Sequence, residues 1–201
     1  MKLWIISVAC LLFCAAVTLA QESVTLKDDD IFRLILSTSF PDSGFTVVVP
    51  TTGFGDFGYE GFDLGDVNHV EAIKSSICES FACLGYDISV LLDSLIVRNA
   101  KPSNIKLGSC LEEGYFIDQD RTYERYVLKF PKPGWDEWHC DHPRAHGLTQ
   151  VSLPAYDAES GLCLIFVGTI RGGLEGAGCL VLYRYEDGLL GELGRIWLWQ
   201  V

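Results

Sequence analysis

Residues 147–200 read GLTQVSLPAYDAESGLCLIFVGTIRGGLEGAGCLVLYRYEDGLLGELGRIWLWQ, and this stretch decides the fold. Apolar, β-branched and aromatic runs alternate with turn chemistry: Asp157–Gly161 after the first run, a glycine-rich loop at 170–178, and Asp187-Gly188 before the last. Gly and Asp at those points supply the backbone conformations that reverse a chain, so the pattern predicts an antiparallel β-meander. Residues 162–167 are apolar at both parities, which predicts a central strand covered on both faces. Residues 179–186 carry Arg184 and Glu186 at one parity, which predicts a half-exposed strand.

Working back from the meander, the first half of the chain is helical. Residues 27–40 (KDDDIFRLILSTSF) place three acids before Ile31, Leu34, Ile35 and Phe40, the signature of a helix whose positive N-terminal end is met by carboxylates. FTVVVP at 45–50 reads as a β-branched strand closed by proline. Residues 51–65 (TTGFGDFGYEGFDLG) have neither regular period and read as a long loop, and 66–99 read as helix interrupted at Gly85. Further strands are expected at 105–107, 114–118 and 123–130, before the break PKPGW at 131–135. The fold class expected is α+β: an antiparallel meander sheet of about six strands, one face covered by the N-terminal helices. Residues 21–201 then form a single domain, with no internal repeat to divide it.

The first twenty residues carry Lys2, an apolar stretch from Leu3 to Val17, and small residues Thr18 and Ala20. This is the pattern of a cleaved signal peptide, with a mature chain beginning near Gln21 and no transmembrane helix in it. The expected location is outside the cytosol: secreted, periplasmic or in the cell envelope. Cys10 and Cys14 have flanks that do not fit a lipid-attachment site. Cleavage removes those two of the eight cysteines, and an even number in an oxidising compartment predicts disulfides. Cys163 and Cys179 would face each other if their hairpin is centred on Arg171, and would be separated if it is centred near Gly173. The formal charge of −12 disfavours phosphate backbones and excludes nucleic acid as the expected partner.

Reactive side chains cluster once, in WHCDHPRAH at 138–146. His139, Cys140, His142 and His146 are ligand types suited to zinc, and His142 and His146 have a spacing that one helical turn would converge. Two features oppose a metal site: no second ligand pair appears elsewhere, and Cys140 in an exported chain is more simply half of a disulfide. No GxSxG, HExxH or cysteine-protease signature is present. The loop IRGGLEGAG lies between strands, where glycines serve a hairpin; phosphate loops feed a helix instead. Its charged residues Arg171 and Glu175 are therefore candidates for ligand contact rather than phosphate binding.

The combination of Gly134-Trp135, HPRAHGL at 142–148, VSLPAYDAESGLCLIFVG at 151–168, IRGGLEGAG, CLVLYRYEDG at 179–188 and terminal IWLWQ resembles a family of secreted bacterial proteins of unassigned activity. In that family a Gly-Trp pair, a Tyr-Pro near a glycine, an Ala-Leu-Val-Tyr-Val strand, a Gly-Gly-Leu-x-Gly-x-Gly loop, a Lys-x-Asp-Gly turn and a Trp-Val-Ser ending recur. IFRLILSTSF at 31–40 and FTVVVPTT at 45–52 are similar to its opening. The chain departs from the pattern at His142, where the family has Tyr, and at Val201, where it ends in Ser. The resemblance implies an architecture, supplies no catalytic residue, and implies that the histidine cluster is not shared across the family.

The functional expectation is a non-enzymatic binding or interaction module for a protein or small-molecule ligand. The competing class is a hydrolase, metal-dependent in one version, built on the His139–His146 loop. That class requires at least three of those side chains to converge on a common centre.

Overall fold

The structure, a computed structural model, describes residues 25–38, 44–54, 67–128, 134–172 and 175–200. The expected signal segment and most of the 51–65 loop lie outside these residues. Helix α1 (Asp28–Thr38) forms where the sequence places it and buries Ile31, Phe32, Ile35 and Leu36 along one side. The Asp30 carboxylate accepts the Lys27 N–H at 3.3 Å, and Asp28 accepts from Arg98 Nη2 at 2.7–2.8 Å, so the acids serve the helix end and an ion pair.

The long helical stretch is two helices, α2 (Val67–Cys83) and α3 (Ser89–Arg98). Gly85 has φ +88°, and the N–H groups of Gly85 and Tyr86 return to the carbonyls of Ala82 and Phe81. That is a Schellman ending, which needs a residue able to adopt positive φ at Gly85.

Seven strands follow: β1 (Phe45–Val48), β2 (Tyr115–Ile117), β3 (Ala145–Val151), β4 (Ala155–Asp157), β5 (Leu162–Gly172), β6 (Glu175–Glu186) and β7 (Leu189–Gln200). They form one mixed sheet in the order β2-β1-β3-β5-β6-β7, with β4 also on β5. β5, β6 and β7 are the antiparallel meander the sequence predicts, and Asp187 (φ 53°) and Gly188 (φ 84°) make the two-residue turn between the last two. The sheet as a whole corrects that expectation, because β1 runs parallel to both β2 and β3. Parallel neighbours need long connections, and helices α2 to α5 supply them.

The expected strand at 123–130 is instead helix α4 (Thr122–Leu128). The two carboxylate oxygens of buried Asp118 accept the N–H groups of Thr122 and Tyr123, both at 2.9 Å, and this capping starts a helix in a segment whose side-chain pattern reads as a strand. Ile105 and Leu107 are buried and Lys106 is exposed, but residues 105–107 form no strand, and WHCDH, expected as a loop, is largely helix α5 (Trp135–Asp141).

Helices cover both faces of the sheet, not one. On one face, α1 packs with Cys163, Ile165, Val181, Tyr183 and Leu190. On the other, α2 and α3 pack with Leu164, Phe166, Leu180 and Leu182, and Trp138 of α5 packs with Val47, Leu148 and Ile170. β5 is accordingly central, as its sequence predicts. β6 is buried from Gly178 to Tyr183, and its half-exposed character is confined to its ends.

Three residues, Ser152 to Pro154, stand opposite two on β5, so β3 and β4 are one strand interrupted by a bulge. Pro154 cannot donate to a ladder, and the bulge takes it out of one. Ser152 Oγ accepts the Phe166 N–H at 2.9 Å, Asn99 pairs with both backbone groups of Leu153, and Arg98 Nη1 donates to the Pro154 carbonyl at 2.6 Å. Because Arg98 also holds Asp28, it joins α1, α3 and the bulge.

Candidate functional site

The four metal-ligand candidates fall in different places. His139 stacks on Trp135 with ring centroids 5.9 Å apart, and its Nε2 donates to the Arg171 carbonyl at 3.0 Å. Cys140 is exposed on the next helical position. His142 is enclosed by Tyr123, Tyr126 and Trp138, its ring 4.4 Å from that of Tyr123. His146 lies on β3 with its ring over the backbone of Gly44. Among the described residues, no group of three His, Cys, Asp or Glu side chains is arranged to hold a metal ion. The reason is the helix: residues one and three apart on α5 point about 100° and 60° away from each other, and Pro143 ends it before His146.

The disulfides expected from an even cysteine count do not form either; all six cysteines from Cys78 to Cys179 are free thiols. Cys163 stands opposite Tyr183 and Cys179 opposite Val167, which places the hairpin centre near Gly173 and separates the two sulfurs by two steps along the strands. Both thiols are buried, and loss of hydration pushes their pKa values up, to about 12 for Cys163 and about 11 for Cys179. They are neutral apolar fillers at physiological pH.

Arg171 and Glu175, by contrast, meet at one end of a concavity of about 640 Å³ on the outer part of the β5–β6–β7 surface. α1 covers the other end of the same face. The concavity is built from cross-strand rows. Thr169, Ala177 and Gln200 form one row; Val167, Cys179 and Trp197 the next; Val181 and Arg195 belong to a third, and Tyr183 and Glu192 to a fourth. Apolar side chains thus make the middle of the floor, and polar groups gather at the hairpin tip and along β7.

Two bulges in β7 create this lining. The register shifts between Leu182 and Tyr183 and between Gly178 and Cys179, so Leu193 and Leu198 are extra residues opposite β6. With strict alternation Arg195 and Trp197 would face away from Glu192; the first bulge returns them to its side, and the second does the same for Gln200. Arg195 Nε donates to Glu192 Oε1 at 2.7 Å and Nη2 to Oε2 at 2.5 Å, a two-pronged pair that raises the Arg195 pKa. The same guanidinium lies 5.5 Å from the Trp197 ring centre, and Trp197 is 54% exposed.

Trp199, two residues on, lies on the opposite face. Its indole rests on the cross-strand pair Gly168–Gly178, where a Cβ at Gly178 would overlap the ring. Sequence reasoning did not single out Glu192, Arg195, Trp197 and Gln200 as pocket residues. One signal for them exists: LLGELGRIWLWQ is apolar at both parities and contains Gly191 and Gly194, a pattern that one unbroken alternation cannot satisfy.

Most of the 51–65 loop lies outside the described residues; of its described part, Phe54 packs edge-on against Phe166 at 5.9 Å. Among the described residues no helix is long and apolar enough to cross a membrane. Neither a protein-family model, a curated protein nor a solved structure matches the chain.

Proposed function

We propose that the chain is an exported, non-enzymatic binding module whose ligand site is the β5–β6–β7 concavity. The observation that carries this reading is the asymmetry of the meander's two faces. One is filled by α2 and α3, while among the described residues the outer part of the other is left open over an apolar floor rimmed by Arg171, Glu175, Gln200 and Trp197. A largely apolar concavity with a few convergent polar groups is the usual form of a small-ligand site. Its one thiol, Cys179, is held protonated and directed at the Val167 carbonyl at 3.7 Å, and the buried Tyr183 hydroxyl has a raised pKa, which favours binding over nucleophilic chemistry there. Export rests on the N-terminal sequence pattern, and the mass of the mature protein tests it: the chain should begin at or near Gln21. The metal-dependent hydrolase alternative finds no support at His139–His146, since among the described residues no three of those ligand types are arranged to hold a metal ion.

The test uses N-phenyl-1-naphthylamine, an uncharged apolar fluorophore. Saturable binding to a single site is expected, abolished by Ala177→Trp, which fills the floor, and by Thr169→Trp, which fills it from β5 should the first variant fold poorly. Circular dichroism establishes that each variant is native. Binding without saturation, or binding unchanged in a folded filling variant, overturns the reading.

A further inference from the structure

Resting on the reading of this concavity as a binding site, we infer that its ligand is a zwitterionic amphiphile: an ammonium and a carboxylate carried together on one end of an apolar body, with apolar α-amino acids as the simplest form. The inference follows from which charges in the site are already satisfied. Of the four charged side chains lining it, Arg195 and Glu192 neutralise each other through two hydrogen bonds. Arg171 and Glu175 do not: neither makes an ion pair among the described residues, and both are exposed.

Their placement is set by backbone geometry. Ile170 pairs with Gly176 and Gly172 with Glu175, so Arg171 is the extra residue of a bulge and shares Glu175 as its cross-strand neighbour. Neighbouring side chains in such pairs start about 5 to 8 Å apart at Cβ. One cationic and one anionic group thus stand side by side at the same end of the floor, each without an ion-pair partner among the described residues. A simple carboxylate taken by Arg171 would lie against the Glu175 carboxylate, and a simple ammonium taken by Glu175 would lie against the Arg171 guanidinium. A head group carrying both charges satisfies both residues. The acidity of the whole chain, −12, further opposes a plain anion.

The rest of the lining accommodates the body. Thr169 and Gln200, in the row nearest the two charges, offer neutral hydrogen-bonding groups; Thr169 spends part of its hydroxyl capacity on Thr149 at 2.8 Å. Beyond them lie Val167, Cys179 and Val181, with the Trp197 ring at the side. From the Thr169 row to the Val181 row is two steps of two residues, about 13 Å along the strands, room for an extended chain of several methylenes.

Three probes of one chain length separate the possibilities: 2-aminooctanoate, octanoate and octylammonium, each displacing the uncharged N-phenyl-1-naphthylamine from the full mature protein at neutral pH. The zwitterion is expected to displace the dye at a concentration about tenfold below either single-charge probe. Arg171→Gln should weaken the zwitterion about fivefold or more and leave octylammonium no weaker, while Glu175→Gln should bring octanoate to within about threefold of the zwitterion. Both residues are exposed, so neither change threatens folding. Equal displacement by the three probes, a preference for octanoate, or indifference of the zwitterion to both substitutions overturns the inference while leaving the pocket as a binding site. Failure of the dye to bind saturably, or its persistence in Ala177→Trp, removes the pocket reading itself.

Discussion

Replacing Asn99 by leucine should cost this protein about 2–4 kcal/mol, because its amide braces the strand interruption that lets Pro154 pass the sheet. Asn99 is 9% exposed at the end of α3. Its Nδ2 donates to the carbonyls of Leu95 at 2.8 Å and Leu153 at 2.9 Å, and its Oδ1 accepts the Leu153 N–H at 2.7 Å. Leucine has a similar size, so the change removes hydrogen bonds without opening a large cavity. The Leu95 carbonyl keeps the Asn99 backbone N–H at 3.1 Å and loses little. The Leu153 N–H and carbonyl lose their partner, and a buried orphaned group costs about 1–3 kcal/mol. Leu153 is half-buried, which limits the sum to the range above. Urea unfolding followed by far-ultraviolet circular dichroism reads the effect: with a slope of about 2 kcal/mol per molar urea, the midpoint should fall by about 1–2 M. Asn99→Asp keeps an acceptor for Leu153 N–H but turns an anionic oxygen toward two carbonyls, so its loss should be at least as large at neutral pH and smaller in acid. A midpoint shift below about 0.5 M for the leucine variant, about 1 kcal/mol, would refute the bracing role.

Other consequences follow from the buried thiols and the paired glycines. Gly178→Ala should force the Trp199 indole off its seat at a cost of about 1–3 kcal/mol and alter the near-ultraviolet circular dichroism, whereas Gly191→Ala, with nothing closer than 3.9 Å, should change neither; equal midpoints for the two sink the account. Cys163 has a pKa raised to about 12 in the fold against an ordinary value near 9, so the unfolded chain releases its proton first as pH rises. Its contribution to stability is full below pH 9 and is lost between about 9 and about 12, at about 1.4 kcal/mol per unit. Urea midpoints at pH 8.5 and 10.5 should therefore fall more for the native chain than for Cys163→Ala, and parallel behaviour of the two argues against it. Thiol titration of the unreduced protein should find Cys83 and Cys140 reactive when folded, Cys163 and Cys179 only on unfolding, and all six from Cys78 to Cys179 in denaturant; a shortfall there would mean bridges.

Much of the fold was legible because its signals are local. Ile31, Ile35 and the acids before them mark α1, Gly85 marks a helix end, and Asp187-Gly188 marks a two-residue turn, since each depends on side chains or backbone freedom within a few residues. The 123–130 segment misled because Asp118, four residues before the helix begins at Thr122, starts that helix through hydrogen bonds that residue spacing does not display. The parallel pairing of β1 was equally invisible, because the partners lie far apart in sequence and a β-branched run pairs in either direction.

The candidate site divides in the same way. Residue type and turn position alone select Arg171 and Glu175 as charges at a hairpin tip. Residue type also assembles His139, Cys140, His142 and His146 into one candidate cluster, and there the tertiary structure disperses them, because helical geometry and the aromatic packing of Tyr123, Trp135 and Trp138 direct each ring elsewhere. Whether Cys163 meets Cys179 depended on where the hairpin is centred, and the observed register, Cys163 opposite Tyr183 and Cys179 opposite Val167, settles that they do not meet. The β7 side of the concavity is decided by tertiary structure: β7 satisfies the helices on one face and leaves Arg195, Trp197 and Gln200 on the other only by inserting Leu193 and Leu198 as bulges. Local chemistry determines where a strand begins and turns, whereas the face each residue presents is chosen by the partners it packs against.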